Sequence, residues 1–337
     1  MHSGEFSQRA KTAGEQSGQA LWYIGHRRVE LRTEKVISPG AGEIRVRSLW
    51  GALSRGTESL VFAGRVPPTE FQRMRSPHMS GNFPFPVKYG YSIVGLAETG
   101  PADLIGRSVF VIHPHQTLFN VPFASVTALP DGIPPRRAVL AANMETALNA
   151  VWDGAPGPAD RIVVIGAGVI GALIAFLCRQ IPGVEITLVD VNQARDKIAR
   201  TLGVAFAAPD QAPIDCDLVF HASATAAGLA TAIACAGEES TIVELSWYGE
   251  GTVAVPLGAS FHSRRLRVIS SQVGQVSASR RGRWTAKQRL AAAIRLLHDD
   301  HLDALIAPPI RFDELTARLS EILAPGSGVL CQLVEYS

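Results

Sequence analysis

Ile162-Val-Val-Ile-Gly-Ala-Gly-Val-Ile-Gly171, followed by Glu185-Ile-Thr-Leu-Val-Asp190, is the part of this 337-residue chain whose reading decides the fold. The first stretch reads as a buried strand running into Gly166, Gly168 and Gly171. A helix continues from it, and the second stretch is another strand that ends in a carboxylate. Each glycine answers a physical need. Gly166 permits a tight turn, Gly168 lets the backbone approach a pyrophosphate, and Gly171 lets the helix close onto the sheet. The N–H groups at the helix start, around Val169 and Ile170, point at the phosphates, where the helix dipole favours negative charge. Asp190, 19 residues after Gly171, is placed to accept both hydroxyls of an adenosine ribose. Its charge opposes a 2′-phosphate, so NAD is expected in preference to NADP.

Two blander readings compete. One is a βαβ unit with no ligand. The other is a membrane span, because Ile162–Cys178 carries no charge. That stretch is 17 residues long, short of the roughly 20 that span a bilayer, and three glycines interrupt it.

Outward from this centre the texture differs on the two sides. From Ala20 to about Pro130 short alternating runs such as Glu43-Ile-Arg-Val-Arg-Ser-Leu49 and Val109-Phe-Val-Ile112 are broken by Gly and Pro, which predicts a β-rich domain. Arg136–Val151 reads as a helix. After Asp160, strands are expected at Ile162–Ile165, Glu185–Val189, Leu218–His221, Thr241–Leu245 and Leu266–Ser270. Helices alternate with them, notably Asn192–Leu202 and Ala226–Ala236. The alternation specifies α/β architecture with a doubly wound parallel sheet. Helices near Ala286–His298 and Phe312–Leu323 and a strand Gly328–Val334 close the chain. The expected division is a disordered extension over 1–19, a β-rich catalytic domain over 20–142 and 281–337, and a nucleotide-binding domain over 143–280, with the site in the cleft between them.

Composition narrows the class. The chain is 47% hydrophobic and 18% charged, the balance of an ordinary globular protein. A formal net charge of +2 gives no general attraction to nucleic acid or acidic membranes. Cys178, Cys216, Cys235 and Cys331 are widely spaced in apolar surroundings, so buried, reduced thiols in a cytoplasmic protein are expected. Met1–Gln19 lacks the apolar core of a signal peptide.

Over residues 20 to 337 the sequence resembles the medium-chain dehydrogenase/reductase superfamily. The resemblance is carried by Leu129-Pro-Asp-Gly-Ile-Pro134, Met144-Glu-Thr-Ala-Leu-Asn-Ala-Val151, the glycine motif with Asp190, and Leu302-Asp-Ala-Leu-Ile306. It implies a GroES-like catalytic domain, a six-stranded Rossmann domain, and hydride transfer between a nicotinamide cofactor and an alcohol or carbonyl. A homodimer through Rossmann edge strands is implied in the same way. Where zinc-dependent members carry a cysteine and a Gly-His-Glu, this chain reads Gly51-Ala-Leu-Ser-Arg-Gly-Thr-Glu58 and Tyr89-Gly-Tyr-Ser92. Ser54 and Tyr91 stand at the ligand positions, and both are poor zinc ligands beside thiolate and imidazole. No metal is expected.

Without zinc, something else must supply or remove a proton. Tyr91 is the first candidate, with Lys88 able to lower its pKa. Ser54 and Thr57 are hydroxyls suited to a relay, and Thr57 matches a relay hydroxyl of the zinc enzymes. Glu58 matches an acid that orients a ligand there, or it pairs with Arg55. Arg55 is expected on the cofactor pyrophosphate, and Arg195 on the adenosine ribose. Leu245, Ser246 and Trp247, with Ser271 and Gln272, fall at strand ends where nicotinamide-facing backbone belongs. His113-Pro-His115 offers a metal or acid–base pair, and Glu145 reaches either the cleft or a helix-surface partner. The leading expectation is a zinc-independent oxidoreductase acting on a small alcohol/carbonyl substrate. A quinone or enoyl reductase and a non-catalytic NAD-binding protein are the alternatives.

Overall fold

The computed structural model describes residues 16–336, and in it the strand Arg161–Ile165 lies inside a six-stranded sheet. The spatial order is Ala205–Ala207, Glu185–Val189, Arg161–Ile165, Cys216–His221, Ala236–Glu244, Arg267–Ser270, and every pairing is parallel. Both faces of the central strands are covered, so Ile162, Val163, Val164 and Ile165 are all buried and no in–out alternation shows in their sequence. The helix Val169–Cys178 follows the glycine turn. It buries Leu173, Ile174 and Phe176 in a cluster shared with Val164 of the sheet and with Met144 and Leu148 of the helix Ala141–Gly154. Apolar neighbours on both sides explain the charge-free stretch without a bilayer. Among the described residues no helix is long and apolar enough to cross a membrane.

The strand order reverses between Arg161–Ile165 and Cys216–His221. In an open α/β sheet, ligands bind outside the carboxyl ends of the strands at such a point.

A second lobe is built mainly of antiparallel strands. Its seven-stranded sheet runs Ile306–Arg311, Cys331–Glu335, Glu43–Leu53, Ile93–Ala97, Ser108–Val111, Val126–Ala128, with Leu118–Pro122 also paired to Glu43–Leu53. The chain's last strand thus pairs antiparallel with one of its first. A four-stranded sheet of Arg28–Val36, Gln16–Gly25, Val87–Lys88 and Ser80–Gly81 packs beside it.

Several expected boundaries move. Of the extension expected over 1–19, residues 1–15 lie outside the described residues. Gln16–Gln19 instead begin a strand, because antiparallel pairing with Arg28–Val36 carries the ladder back to Gln16. The helix expected over Arg136–Val151 is two, Pro135–Ala138 and Ala141–Gly154. The helix Ala286–Arg295, expected with the returning catalytic segment, packs on the nucleotide sheet's helices instead. Its Leu290, Ala293 and Ile294 share the core with Ala147 and Phe220, so the return to the β lobe begins at Ile306. The four cysteines are free and buried, as expected.

Arg289 ties this helix down. Its guanidinium, only 2% exposed, donates to Glu145 Oε1 at 3.1 Å, to Asn149 Oδ1 at 2.5 Å, and to the carbonyls of Val273 and Gln275. Glu145 is therefore spent on an inter-helix ion pair rather than directed at the cleft. Burial pushes its carboxyl pKa up, and the Arg289 charge opposes that rise. Removing one partner of a buried pair leaves an uncompensated charge. Arg289→Met should therefore cost about 3–5 kcal/mol in denaturant unfolding. Adding Glu145→Leu should recover much of that loss; an additive double mutant would show that the pair is not coupled.

Candidate active site

The glycine turn shows the division of labour that its sequence implies. Gly166 has φ +105, and a Cβ there would meet Ser223 N at 2.8 Å. A Cβ on Gly171 would lie 1.9 Å from Gly166 O, whereas one on Gly168 would meet nothing within 4 Å. Gly168 is thus free of protein contact on the side where its backbone is most approachable. Val169 and Ile170 follow as the first helical residues, their N–H groups without an intrahelical acceptor. Asp190 stands beside them. Its carboxylate accepts from Ala167 N at 2.7 Å and Asn192 N at 2.8 Å, which holds it against the turn. An open cradle, free helix N–H groups and an oriented carboxylate fit a dinucleotide.

Two arginines come near this cradle. Arg195 closes the short 3-10 turn Gln193–Arg195. Burial lowers its pKa, while the Asp190 charge acts in the opposite sense. Arg55 is likewise lowered, first by burial and then by the charge of Arg195. Arg55 does not pair with Glu58. It donates to the carbonyls of Val329 at 2.6 Å, Ala324 at 2.9 Å and Ile322 at 3.1 Å, capping the end of the helix Leu315–Ile322.

Glu58 is fully buried on the helix Arg55–Phe62, which begins after Ser54. It accepts from Tyr23 Oη at 2.8 Å, His115 Nε2 at 3.0 Å and Ser54 N at 2.8 Å. His115 Nδ1 meets Tyr336 Oη at 3.0 Å, so the network reaches the last strand's end. His113 diverges from His115. It stacks on Phe119 with ring centroids 3.6 Å apart, and burial pushes its pKa well down. The two histidines form neither a metal pair nor an acid–base pair.

Tyr91 packs against both lobe clusters. Burial, then the Glu58 charge, push its phenol up to about 12, while hydrogen bonds with Ser54 and Thr57 pull the other way. Ser54, Thr57, Glu58 and Tyr91 are therefore gathered at one place. The expected help from Lys88 is missing, because its ammonium is held by Glu34 at 2.6 Å and Gln116 at 2.8 Å.

The strand ends on the far side of the sheet complete the cleft. Leu245 N donates to His221 O, and Ser246 N to Glu244 Oε1 at 2.7 Å. Trp247 crosses to pack on the β-lobe cluster. Ser271 turns its hydroxyl away to Asp153 Oδ2 at 2.7 Å, and Gln272 folds back on Gly274 N at 2.7 Å. Sequence reading missed His221, Ser223 and Glu244. His221 Nδ1 lies 2.7 Å from Glu244 Oε2, and its Nε2 2.7 Å from Ser223 Oγ. The available signal was that all three fall at the carboxyl ends of successive strands. Among the described residues, Asp299, Asp300 and His301 are the sole group of three or more His, Cys, Asp or Glu with clustered ligand atoms, and they sit away from this cleft on the surface.

No family model matches the chain. A stretch of 89 residues is 33% identical to an uncharacterized zinc-type alcohol dehydrogenase-like protein of Haemophilus influenzae, covering 26% of this chain and 26% of that protein. Over 95% of this chain, the solved structure of an Escherichia coli CFT073 short chain alcohol dehydrogenase complexed with NADH superposes with a TM-score of 0.75 at 16% identity, covering 99% of that chain. A Sinorhizobium meliloti 1021 structure described as a zinc-binding dehydrogenase bound to NADP gives 0.75 at 17% identity, with 95% and 99% covered. This is the medium-chain dehydrogenase/reductase fold. In that fold the antiparallel lobe is the GroES-like domain and the parallel sheet the Rossmann domain.

The glycine geometry yields a paired test. Gly171→Ala should cost about 3 kcal/mol by thermal melting, because backbone must shift. Gly168→Ala, at φ −73, should change stability by less than about 0.5 kcal/mol yet weaken NADH binding in a fluorescence titration. Equal stability losses would refute the assignment of the two positions.

Proposed function

We propose that the chain is a zinc-independent, NAD-dependent oxidoreductase that exchanges a hydride between the cofactor and a small alcohol/carbonyl substrate. The observation that carries this reading is Tyr91, its phenol set against Ser54 and Thr57 where the two lobes meet.

The residues around Tyr91 suit proton transfer better than zinc. Ser54, Thr57 and Tyr91 offer neutral hydroxyls, and the Glu58 carboxylate is already used by Tyr23, His115 and the Ser54 N–H. Burial and the Glu58 charge push the nearby Cys331 thiol up to about 12, which opposes the thiolate that zinc binds. A bound nicotinamide supplies or takes up hydride. The protein's part is to place a proton. With its pKa raised, Tyr91 stays protonated at neutral pH, the form that donates to a carbonyl oxygen as it gains hydride. In the reverse direction the same oxygen takes the proton back, helped by the Ser54 and Thr57 hydroxyls.

Asp190 supports NAD over NADP, since a 2′-phosphate would lie against its carboxylate. The two arginines near the cradle complement the pyrophosphate charge, with Arg55 offering N–H groups beyond the three it uses on carbonyls.

Fluorescence titration should show NADH binding at least tenfold tighter than NADPH. Equal affinities would defeat the role given to Asp190, and stoichiometric zinc in the purified protein would defeat zinc independence. Tyr91→Phe should lower kcat for carbonyl reduction by about 10²–10⁴ while leaving the NADH Kd unchanged. Because the raised pKa keeps the phenol protonated, the wild-type reduction rate should not fall through Tyr91 ionisation below pH 10. Unchanged turnover in the variant removes Tyr91 from the mechanism.

A further inference from the structure

The hydrogen-bonded chain Glu244–His221–Ser223 lies at the carboxyl ends of neighbouring parallel strands, where His221 and Glu244 face each other in register. It is built into the fold. His221 is fully buried, and a Cβ on Gly228 would come within 2.0 Å of Ser223 Oγ and 2.9 Å of His221 Nε2, so a glycine leaves the room that the serine fills. Ser223 also abuts the glycine turn, since Gly166 tolerates no Cβ against its backbone, and Ala222 N donates to Ile165 O at 2.8 Å. The cluster thus sits where the strand order reverses.

The protons in this chain follow from what each atom can do. Glu244 as a carboxylate only accepts, and it takes Ser246 N and Tyr248 Oη as well as His221 Nδ1. Although partial burial pushes its pKa the other way, hydrogen bonds from His221 and Ser246 hold it below its ordinary value. His221 therefore carries its hydrogen on Nδ1, and Nε2 accepts the hydroxyl hydrogen of Ser223. Thr225 Oγ1 accepts from Gly228 N at 3.0 Å and gives its own hydrogen to Ser223 Oγ at 3.0 Å. One lone pair of Ser223 is left facing outward. Ser246 Oγ is the opposite case. It accepts from Ala224 N at 3.0 Å, and the ring nitrogen 3.4 Å away is already protonated, so the hydrogen of Ser246 is left to donate. One hydroxyl accepts and the other donates.

Such a pair matches two neighbouring hydroxyls, one giving a hydrogen and one taking one. The dinucleotide's geography says which. A doubly wound sheet of this order is two mononucleotide-binding halves, and the half ending in Asp190 is the one suited to the adenosine ribose. We propose that Ser223 and Ser246, positioned by His221 and Glu244, form the seat for the diol of the second ribose, the one that bears the nicotinamide. This rests on the nicotinamide-cofactor reading above and adds residues to it on the opposite side of the switch point.

The test compares the reduced dinucleotide that wild type binds more tightly, NADH or NADPH, with AMP, which lacks the second ribose. Ser223→Ala and Ser246→Ala should each raise the dinucleotide Kd about tenfold, the loss expected from one hydrogen bond in a partly desolvated site. His221→Ala, which leaves the Ser223 hydrogen without its inward acceptor, should reproduce the effect. AMP affinity and melting temperature should stay near wild type in the two serine variants, and AMP affinity in the histidine variant. An unchanged dinucleotide Kd in both serine variants, or an equal loss of AMP affinity, overturns the seat. Failure of wild type to bind AMP or either dinucleotide would instead sink the cofactor reading itself.

Discussion

A single methyl group at position 171 would sit 1.9 Å from the carbonyl oxygen of Gly166, and the nucleotide half of the molecule depends on its absence. Because the helix Val169–Cys178 presses that closely on the turn, its first N–H groups and Asp190 converge on the same small space. The sheet's hydrophobic core, from Val164 to Phe176, lies directly beneath. Loss of that contact would separate the helix from the strand it follows, and the phosphate cradle would lose its shape with them.

The second lobe is organised around a buried charge rather than a backbone contact. Glu58 draws Tyr23, His115 and the Ser54 backbone to itself, and His115 extends the chain to Tyr336. Taking a carboxylate out of water is costly unless every lone pair is met, and here hydrogen bonds from three directions meet them. The arrangement joins the N-terminal strand, the helix at Ser54 and the C-terminal strand. It also sets the electrostatics of Tyr91, whose phenol feels the Glu58 charge and stays protonated. Structural cohesion and the chemistry proposed for the cleft therefore draw on the same carboxylate.

Much of the fold was legible because its signals are local. The run Ile162–Ile165, the glycines after it and the acid at 190 sit close along the chain, and the parallel sheet formed around them. Boundaries were less legible where a partner decided them. Gln16–Gln19 are polar, yet they join a strand because Arg28–Val36 offers a ladder. The helix Ala286–Arg295 belongs to the nucleotide lobe because its apolar face and Arg289 find Ala147 and Glu145 there. Among the candidate residues, Ser54, Thr57, Glu58 and Tyr91 came together, while Arg55, Glu145, Lys88 and His113 each found another partner.

By itself the sequence determined the alternation of strands and helices, the turn at Gly166–Gly171 and the carboxylate at Asp190, because spacing along one βαβ unit dictates all three. Only the tertiary structure decided which carboxylate meets which imidazole. Glu58 and His115 are 57 residues apart, and His221 meets Glu244 across a parallel pairing whose register depends on packing of the whole sheet. Periodicity reports which face a residue turns inward. It carries no record of which other buried polar group waits there, and that choice is made when the two lobes close around their charges.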